Sequence, residues 1–456
     1  MIDLLLKLGA FLVAIAILIA VHEFGHFWVA RRLGVKVLRF SLGFGKPLLT
    51  WHRRGDETEY VLAAWPIGGY VKMVDEREEE VVDPADLPRA FNRQSLWKRS
   101  AIVVAGPAAN FLFALLVYWL VMMAGESGLR SEVGEVVPDS IAASAGFVPG
   151  DLIERVDGRE TPTWSAVWLA LLRGSLNDED VLVRVRDASG SPQDRWLPSA
   201  ELGGLDPARG FLLSLGLSGP RPALPPVIGE LVPGQAALAG GLQTGDRVTA
   251  IDGQPVQVWA DLVDAVRSHP GQALEIQVER GADTLKLSVV PATLTEGDER
   301  FGRIGAGPLV PEDFYASQEV SVRLGPLAAA EAAATRVMDV SVLTLRLIGR
   351  MLTGRASIEN LSSPIGIADA AGRTASVGFE PFVKFLALLS VSLGLLNLLP
   401  VPVLDGGHLL FFAVEAVIRR PLPDDVLEQS QRLGIALLVG LMTLAFYVDI
   451  ARFLAP

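Results

Sequence analysis

No cysteine occurs among the 456 residues, which excludes a disulfide framework, a thiol nucleophile and any cysteine-ligated zinc site. That absence is compatible with an oxidising compartment. Histidine is scarce as well, at five, so a metal centre would have to combine a few imidazoles with carboxylates. Positive charge is in deficit: 40 Lys and Arg face 52 Asp and Glu, and the formal charge of −12 argues against nucleic acid as a partner. Apolar side chains, by contrast, make up half the chain, with a mean hydropathy of +0.38. This is high for a soluble protein and low for a pure membrane bundle. It fits a few spanning helices joined to a sizeable soluble portion.

Four apolar stretches reach spanning length: about Leu4 to Ala30, Ile102 to Ala124, Phe382 to Leu404 and Leu433 to Leu454. The first begins like a signal peptide, with Lys7 ahead of an apolar run, but it lacks a small-x-small cleavage site and leads straight into His22. It is therefore expected to be retained. Arg31, Arg32, Lys36 and Arg39, then Arg93, Lys98 and Arg99, flank the first connection, and Arg419 and Arg420 lie in the last. The positive-inside rule places both connections in the cytoplasm, with the termini and the long segment from about Gly125 to Gly378 outside.

Within the first apolar stretch stands His22-Glu23-Phe24-Gly25-His26. On a helix, positions i and i+4 share a face, so both imidazoles can meet one zinc ion with Glu23 beside it as general base. The simpler alternative, two satisfied helical histidines, is weakened by the location, since ionisable groups at membrane depth are costly and usually functional. Two histidines leave a zinc site one protein ligand short. Asp405 fits, in Asn397-Leu398-Leu399-Pro400-Val401-Pro402-Val403-Leu404-Asp405-Gly406-Gly407-His408. A carboxylate ending so apolar a helix needs a partner or a metal. Pro400 and Pro402 would break that helix, which is tolerated at membrane depth only under protein or water cover. The charge argument sets Asp405 near the cytoplasmic end of its helix, level with His26. His408 is a weaker candidate for a supporting place; His52 and His269 read as solvated, as does the acidic run from Asp75 to Glu80.

The long outward segment contains a duplication. Gly134-Glu135-Val136-Val137-Pro138 recurs as Gly229-Glu230-Leu231-Val232-Pro233, Gly150-Asp151 as Gly245-Asp246, Asp157-Gly158 as Asp252-Gly253 and Trp164 as Trp259, all at an offset of 95 residues. Each copy reads as strand, turn, small-residue helix, Gly-Asp, strand ending in Asp-Gly, then helix. This resembles a PDZ domain of the bacterial protease-associated type, a fold that binds an extended peptide beside a sheet edge; two structural spacers are the alternative. A proline-rich stretch, Pro220 to Pro226, reads as a stiff linker, and Leu327 to Met351 as a long amphipathic helix.

His-Glu-x-x-His in a first membrane helix, joined to Asn-x-x-Pro-x-Pro-x-Leu-Asp-Gly in a late one and a duplicated PDZ-like insert, resembles the site-2 family of intramembrane metalloproteases over essentially the whole chain. The resemblance implies His22, His26 and Asp405 as ligands of Zn2+, Glu23 as acid/base and Asn397 as a substrate-orienting or oxyanion-stabilising group. It implies a membrane-associated β-hairpin whose Gly68, Gly69, Tyr70 and Val71 pair with an extended substrate. Asn110, in Gly106-Pro107-Ala108-Ala109-Asn110, and Pro400 and Pro402 are expected near the substrate; Asn110 reads equally as helix-packing glue.

The expected fold is thus a polytopic α-helical membrane protein of four transmembrane helices, with a membrane-associated β-hairpin and two tandem PDZ-like α/β domains. The corresponding segments are 1–30, 31–97, 98–124, 125–220, 221–310, 311–375, 376–410, 411–432 and 433–456. The implied function is zinc-dependent cleavage of single-pass membrane proteins in a bacterial inner membrane, such as a pre-trimmed anti-sigma factor or remnant signal peptides, during envelope stress. The active site would lie near the cytoplasmic side, with the PDZ-like domains contacting periplasmic segments of the substrate. Two rivals stay open. One is a membrane scaffold whose metal motif is structural or vestigial, which has no need of Glu23. The other is a peripheral zincin hydrolysing soluble substrates or a metal transporter using midplane ligands, and a transporter would call for more intramembrane acids and inverted repeats.

Overall fold

An uninterrupted helix, α1, runs over Ile2–Arg32 because its sequence holds no proline and few polar groups until Arg31 and Arg32 close its last turn. The computed structural model describes residues 2–77, 82–175, 179–202, 205, 211–220, 224–296, 299–311, 314, 318–354 and 363–454. Residues 221–223 of the proline-rich stretch and 78–80 of the acidic run lie outside them. The chain forms two units, one of residues 1–127 and 321–455 and one built mainly from 128–205 and 211–320.

In the first unit α1 is followed by strands β1, Val37–His52, and β2, Glu59–Met73, then by α2, Leu96–Ala124. Later come α3, Pro326–Leu352; α4, Pro364–Val377; α5, Phe379–Asn397; α6, Asp405–Ile418; and α7, Asp424–Leu454. Among the described residues four helices, within α1, α2, α5 and α7, are long and apolar enough to cross a membrane. Leu112, Leu116 and Leu120, at helical i, i+4 spacing, are each about half exposed or more, an apolar face suited to lipid. Inside, Ala114, Tyr118 and Met122 of α2 pack with Ala329, Ala333 and Val340 of α3 and with Ala387 and Val391 of α5. The small residues of α3 allow that close approach.

One expectation about the late helix is corrected. The third apolar stretch does not continue to Leu404 and Asp405 does not end a helix: α5 stops at Asn397 and Asp405 is the first residue of α6. Pro400 and Pro402 have no N–H to give to a helix, so Leu398 to Leu404 forms a tight turn. Val403 carries the strain of that turn at φ +103°. The turn is covered by protein, since the α7 backbone at Gly434 sits against the Pro402 carbonyl. A second helix not foreseen is α4, whose first turn gives the N–H groups of Ser363 and Gly366 to the buried Asp449 of α7, at 2.7 and 3.1 Å. Lys7 of α1 meets Asp369 of the same helix at 3.1 Å.

Strands β1 and β2 each bend, so that residues 37–42 lie between 59–62 and 69–73. Gly69 to Met73 therefore forms an edge, with β1 as its one neighbour among the described residues. Gly68 has φ +105°, and the Phe44 ring fills the space where its Cβ would stand. The sheet is tied to α1 through Asp56, which accepts from Arg31 Nη1 at 2.5 Å, Tyr60 Oη at 2.9 Å and the Thr58 N–H at 3.0 Å.

In the second unit the duplication is structural. Strands Leu152–Val156, Arg159–Glu160, Val181–Arg186 and Pro192–Leu197 form one four-stranded sheet. Arg247–Ile251, Gln254–Pro255, Leu274–Arg280 and Asp283–Val289 form another with the same strand order. Short helices Ile141–Ser144 and Ala236–Ala239 keep the 95-residue offset. Buried Asp151 accepts from the Val148 N–H as buried Asp246 does from the Gln243 N–H, and Arg195 and Arg280 hold the two carboxylates in turn.

Burial alone would raise the Asp56 carboxyl, but the Thr58 N–H, Arg31 and Tyr60 outweigh it and hold its pKa at about 2. A carboxyl depressed by folding stabilises fully above its unfolded value, about 3.9, and loses that contribution as the pH falls toward its folded one. Hydrogen exchange at the Thr58 and Tyr60 amides, corrected for intrinsic rates, should show protection that is constant above pH 5 and falls between pH 4 and 2 (values of roughly the range set by that pair of pKa values). Asp56→Asn should give low protection that does not change over the same range.

Candidate metal centre

The placement of the two histidines is decided where α1 crosses α2. Gly25 lies against the Ala105 carbonyl, where any Cβ would collide with backbone, and Gly106 of α2 lies directly under the two imidazoles. With glycine on both helices the backbones approach closely enough for the His22 and His26 rings to extend over α2. The two Nε2 atoms are 3.2 Å apart and the rings are nearly perpendicular, at 85°. Asp405 Oδ2 completes the group, 3.2 Å from His22 Nε2 and 3.5 Å from His26 Nε2. These are the groups that can hold a metal among the described residues, all three ligand atoms lying within 4.8 Å of one another. The side chains are 10, 12 and 17 % exposed, so water does little to solvate them.

The donor set fits a divalent cation. Asp405 Oδ2 is buried and accepts no hydrogen bond among the described residues, a costly state for a carboxylate unless a cation meets it. It also stands in the first turn of α6, where the positive end of the helix dipole favours its charged form. His26 Nδ1 donates to the Ile102 carbonyl at 2.8 Å, which fixes the tautomer and leaves Nε2 as a lone pair. His22 Nδ1 lies 3.3 Å from the Asn110 amide, with Nδ2 facing it and Oδ1 buried without a partner among the described residues. A half-turn of the amide exchanges these atoms. Oδ1 then accepts from Nδ1–H, and His22 Nε2 is freed in the same way.

The remaining sequence candidates divide by position. Glu23 lines a cleft of about 750 Å3 together with His26, Asp405 and His408. Asn397, the last residue of α5, brings Nδ2 to 3.4 Å from His22 Nε2. Asn110 is fully buried and touches His22, and its backbone carbonyl accepts from Ser390 Oγ at 2.9 Å. Gly69 sits beside the centre, since a Cβ there would lie 3.1 Å from Glu23 Cγ. Tyr70 and Val71 continue that edge, and Tyr70 stacks on Phe44 with ring centres 6.0 Å apart. Pro400 and Pro402 lie in the turn that precedes Asp405 and not in the group of ligand atoms. His408 stays outside that group too.

Gly406 and Gly407 were not foreseen as functional. A Cβ at either would strike backbone of the preceding turn, at the Leu398 and Leu399 carbonyls for Gly406 and the Val401 carbonyl for Gly407. The pair lets α6 start immediately at Asp405, and the run Leu-Asp-Gly-Gly was the available signal. Gly106 was likewise missed as the floor of the site, because only the fold brings it beneath the histidines.

The sequence model of peptidase family M50 matches residues 10–441. The chain is 44 % identical over 467 residues to the regulator of sigma-E protease RseP of Escherichia coli K12, with 99 % of this chain and 100 % of that protein covered. It is 43 % identical over 458 residues to the protein of the same name from Salmonella typhimurium, at 99 % and 100 % coverage. A Vibrio cholerae protein named as a zinc metalloprotease is 43 % identical over 461 residues, again at 99 % and 100 % coverage.

Gly106→Ala should push the His26 ring off its place and weaken metal binding by ~10-fold or more, the range for disturbed ligand orientation. Gly440→Ala, where a Cβ meets open space, should leave it unchanged. Metal retained per protein after graded chelator exposure checks both.

Proposed function

The chain belongs to peptidase family M50, the site-2 proteases, and is a metalloendopeptidase; from that membership and the buried His22–His26–Asp405 group we propose that it cuts transmembrane segments of single-pass membrane proteins with one zinc ion held by those three residues. The observation that carries the zinc reading is the uncompensated Asp405 Oδ2 facing two imidazole nitrogens. Relatives named as zinc metalloproteases support the same ion.

Bound there, zinc supplies Lewis acidity to water and to the scissile carbonyl. Glu23, in the same cleft, takes the proton from the attacking water and passes it to the leaving amine. Asn397 places its amide beside the centre, where it can donate to the carbonyl oxygen as charge develops. Asn110 acts through His22 and orients that ligand. A substrate helix hides its carbonyls in i to i+4 bonds, so it must unwind before attack. The Gly69–Met73 edge offers main-chain bonds in exchange, beside Glu23, with Gly68, Tyr70 and Val71 shaping the approach. We assign Pro400 and Pro402 to holding the turn that presents Asn397 and Asp405.

The orientation from flanking charge puts this centre near the cytoplasmic face of a bacterial inner membrane and the duplicated unit in the periplasm. We read the two copies as PDZ-like domains. In support, each has an apolar groove beside the repeated tryptophan, lined by Trp164, Leu213 and Phe314 in the first and by Trp259, Val263 and Phe301 in the second. Their proposed role is to exclude substrates with bulky outer domains until another protease has trimmed them. The substrate we propose is an anti-sigma factor in an envelope-stress response, in keeping with a relative named as a regulator of sigma-E protease.

Glu23→Gln should retain zinc and lose ~10²–10⁴ in kcat, the usual contribution of a general base. Cleavage of a reconstituted single-pass substrate, with zinc quantified in the same sample, checks this; activity in the variant contradicts the role. Deleting residues 128–310 should abolish the preference for a trimmed over a full-length substrate. A preference that survives the deletion rules out size exclusion by that unit.

A further inference from the structure

One face of α2 carries the frame of the metal centre. Asn110 meets His22, Gly106 makes room for both rings, and the Ile102 carbonyl accepts from His26. These positions recur at three- and four-residue intervals, and the next one along the same face is Arg99. Arg99 reaches α6 instead of a histidine. Its Nη2 donates to Glu415 Oε2 at 2.7 Å, with side chains only 9 and 5 % exposed, and its guanidinium lies over the Phe412 ring at 4.8 Å. The second Glu415 oxygen accepts from the Leu422 N–H at 3.3 Å, beyond the end of α6, where Arg419 turns left-handed at φ +53°.

α6 begins with Asp405 and carries Glu415 ten residues later. About 15 Å of helix at 1.5 Å per residue therefore links the third ligand rigidly to the ion pair. We propose that the Arg99–Glu415 pair positions the catalytic centre: it fixes the axial and rotational setting of α6 on α2, and through α6 the place of Asp405 relative to the two imidazoles. The proposal rests on the reading of His22, His26 and Asp405 as zinc ligands.

Stability alone does not explain such a pair. Removing two charges from water cancels most of their attraction, and well-packed apolar side chains hold helices together as well or better. Directional geometry is what an apolar contact lacks, because a charge-assisted guanidinium–carboxylate bond tolerates little sliding or rotation. Arg99 Nε is buried without a partner among the described residues, so the guanidinium is held by Glu415 and the Phe412 face and not by a saturating shell of other acceptors. Both residues line the cleft that contains Glu23, His26 and Asp405, which puts the pair at the reaction chamber and not in remote packing.

The test uses the full-length protein in detergent and the double variant Arg99→Met/Glu415→Met, which leaves no unpaired charge. Thermal unfolding should stay near wild type. Zinc affinity, measured by chelator competition, should fall ~10–100-fold, with kcat on a single-pass substrate falling by a similar factor and KM unchanged. Wild-type zinc affinity and kcat in this variant would overturn the proposal and leave the pair a packing element. Arg99→Lys keeps the charge but not the planar fork, and decides the matter if the double variant does not fold. A smaller loss of zinc affinity in the same direction supports the proposal, and wild-type values overturn it. His22→Phe in the same competition separates the two layers: loss of zinc upholds the ligand reading whatever the pair does, and retained zinc removes the ground for both.

Discussion

The close crossing of α1 on α2 is the contact on which the site depends. Gly25 presses on the Ala105 carbonyl and Gly106 lies beneath the imidazoles, so two backbones meet where side chains would otherwise hold them apart. That approach has three consequences. The Ile102 carbonyl comes within reach of His26 Nδ1, Asn110 comes within reach of His22 Nδ1, and both Nε2 atoms are left facing the same point. The motif His-Glu-Phe-Gly-His thus contains its own packing instruction: the glycine between the histidines is what lets their helix come near enough to be supported.

Asp405, the proposed third ligand, arrives by a different route. A helix that continued past Asn397 would carry Asp405 just over two turns further on, at 3.6 residues per turn (roughly 12 Å along the axis). Two prolines stop it, Val403 accepts a strained backbone, and Gly406 and Gly407 let α6 start at once against the turn. Asn397 and Asp405 are thereby folded back to the same centre from the two ends of one turn. An irregular backbone at this depth is possible because α7 covers it, and α7 is itself held through Asp449 at the first turn of α4.

Much of this was legible in the sequence, and the reasons differ by feature. His22, His26 and Glu23 follow from local spacing, and Asp405 from the cost of a carboxylate in an apolar run. The duplicated unit follows from a constant offset, which the strands reproduce. The end of α5 was misplaced because hydropathy does not register a turn made of apolar residues; only the prolines marked it. α4, Asp449 and the Arg99–Glu415 pair were out of reach for another reason. Their partners are separated by 83 to 316 residues, and no periodicity within one segment reports such a contact.

Catalysis at this centre depends on the identity of the three proposed ligands. X-ray absorption of the zinc-loaded protein measures that most directly. It should show two imidazole nitrogens at about 2.0–2.1 Å and oxygen donors at about 2.0–2.2 Å, with one imidazole lost in His26→Ala. Three imidazoles, bringing in His408, or a zinc shell unchanged by removal of His26, would contradict it.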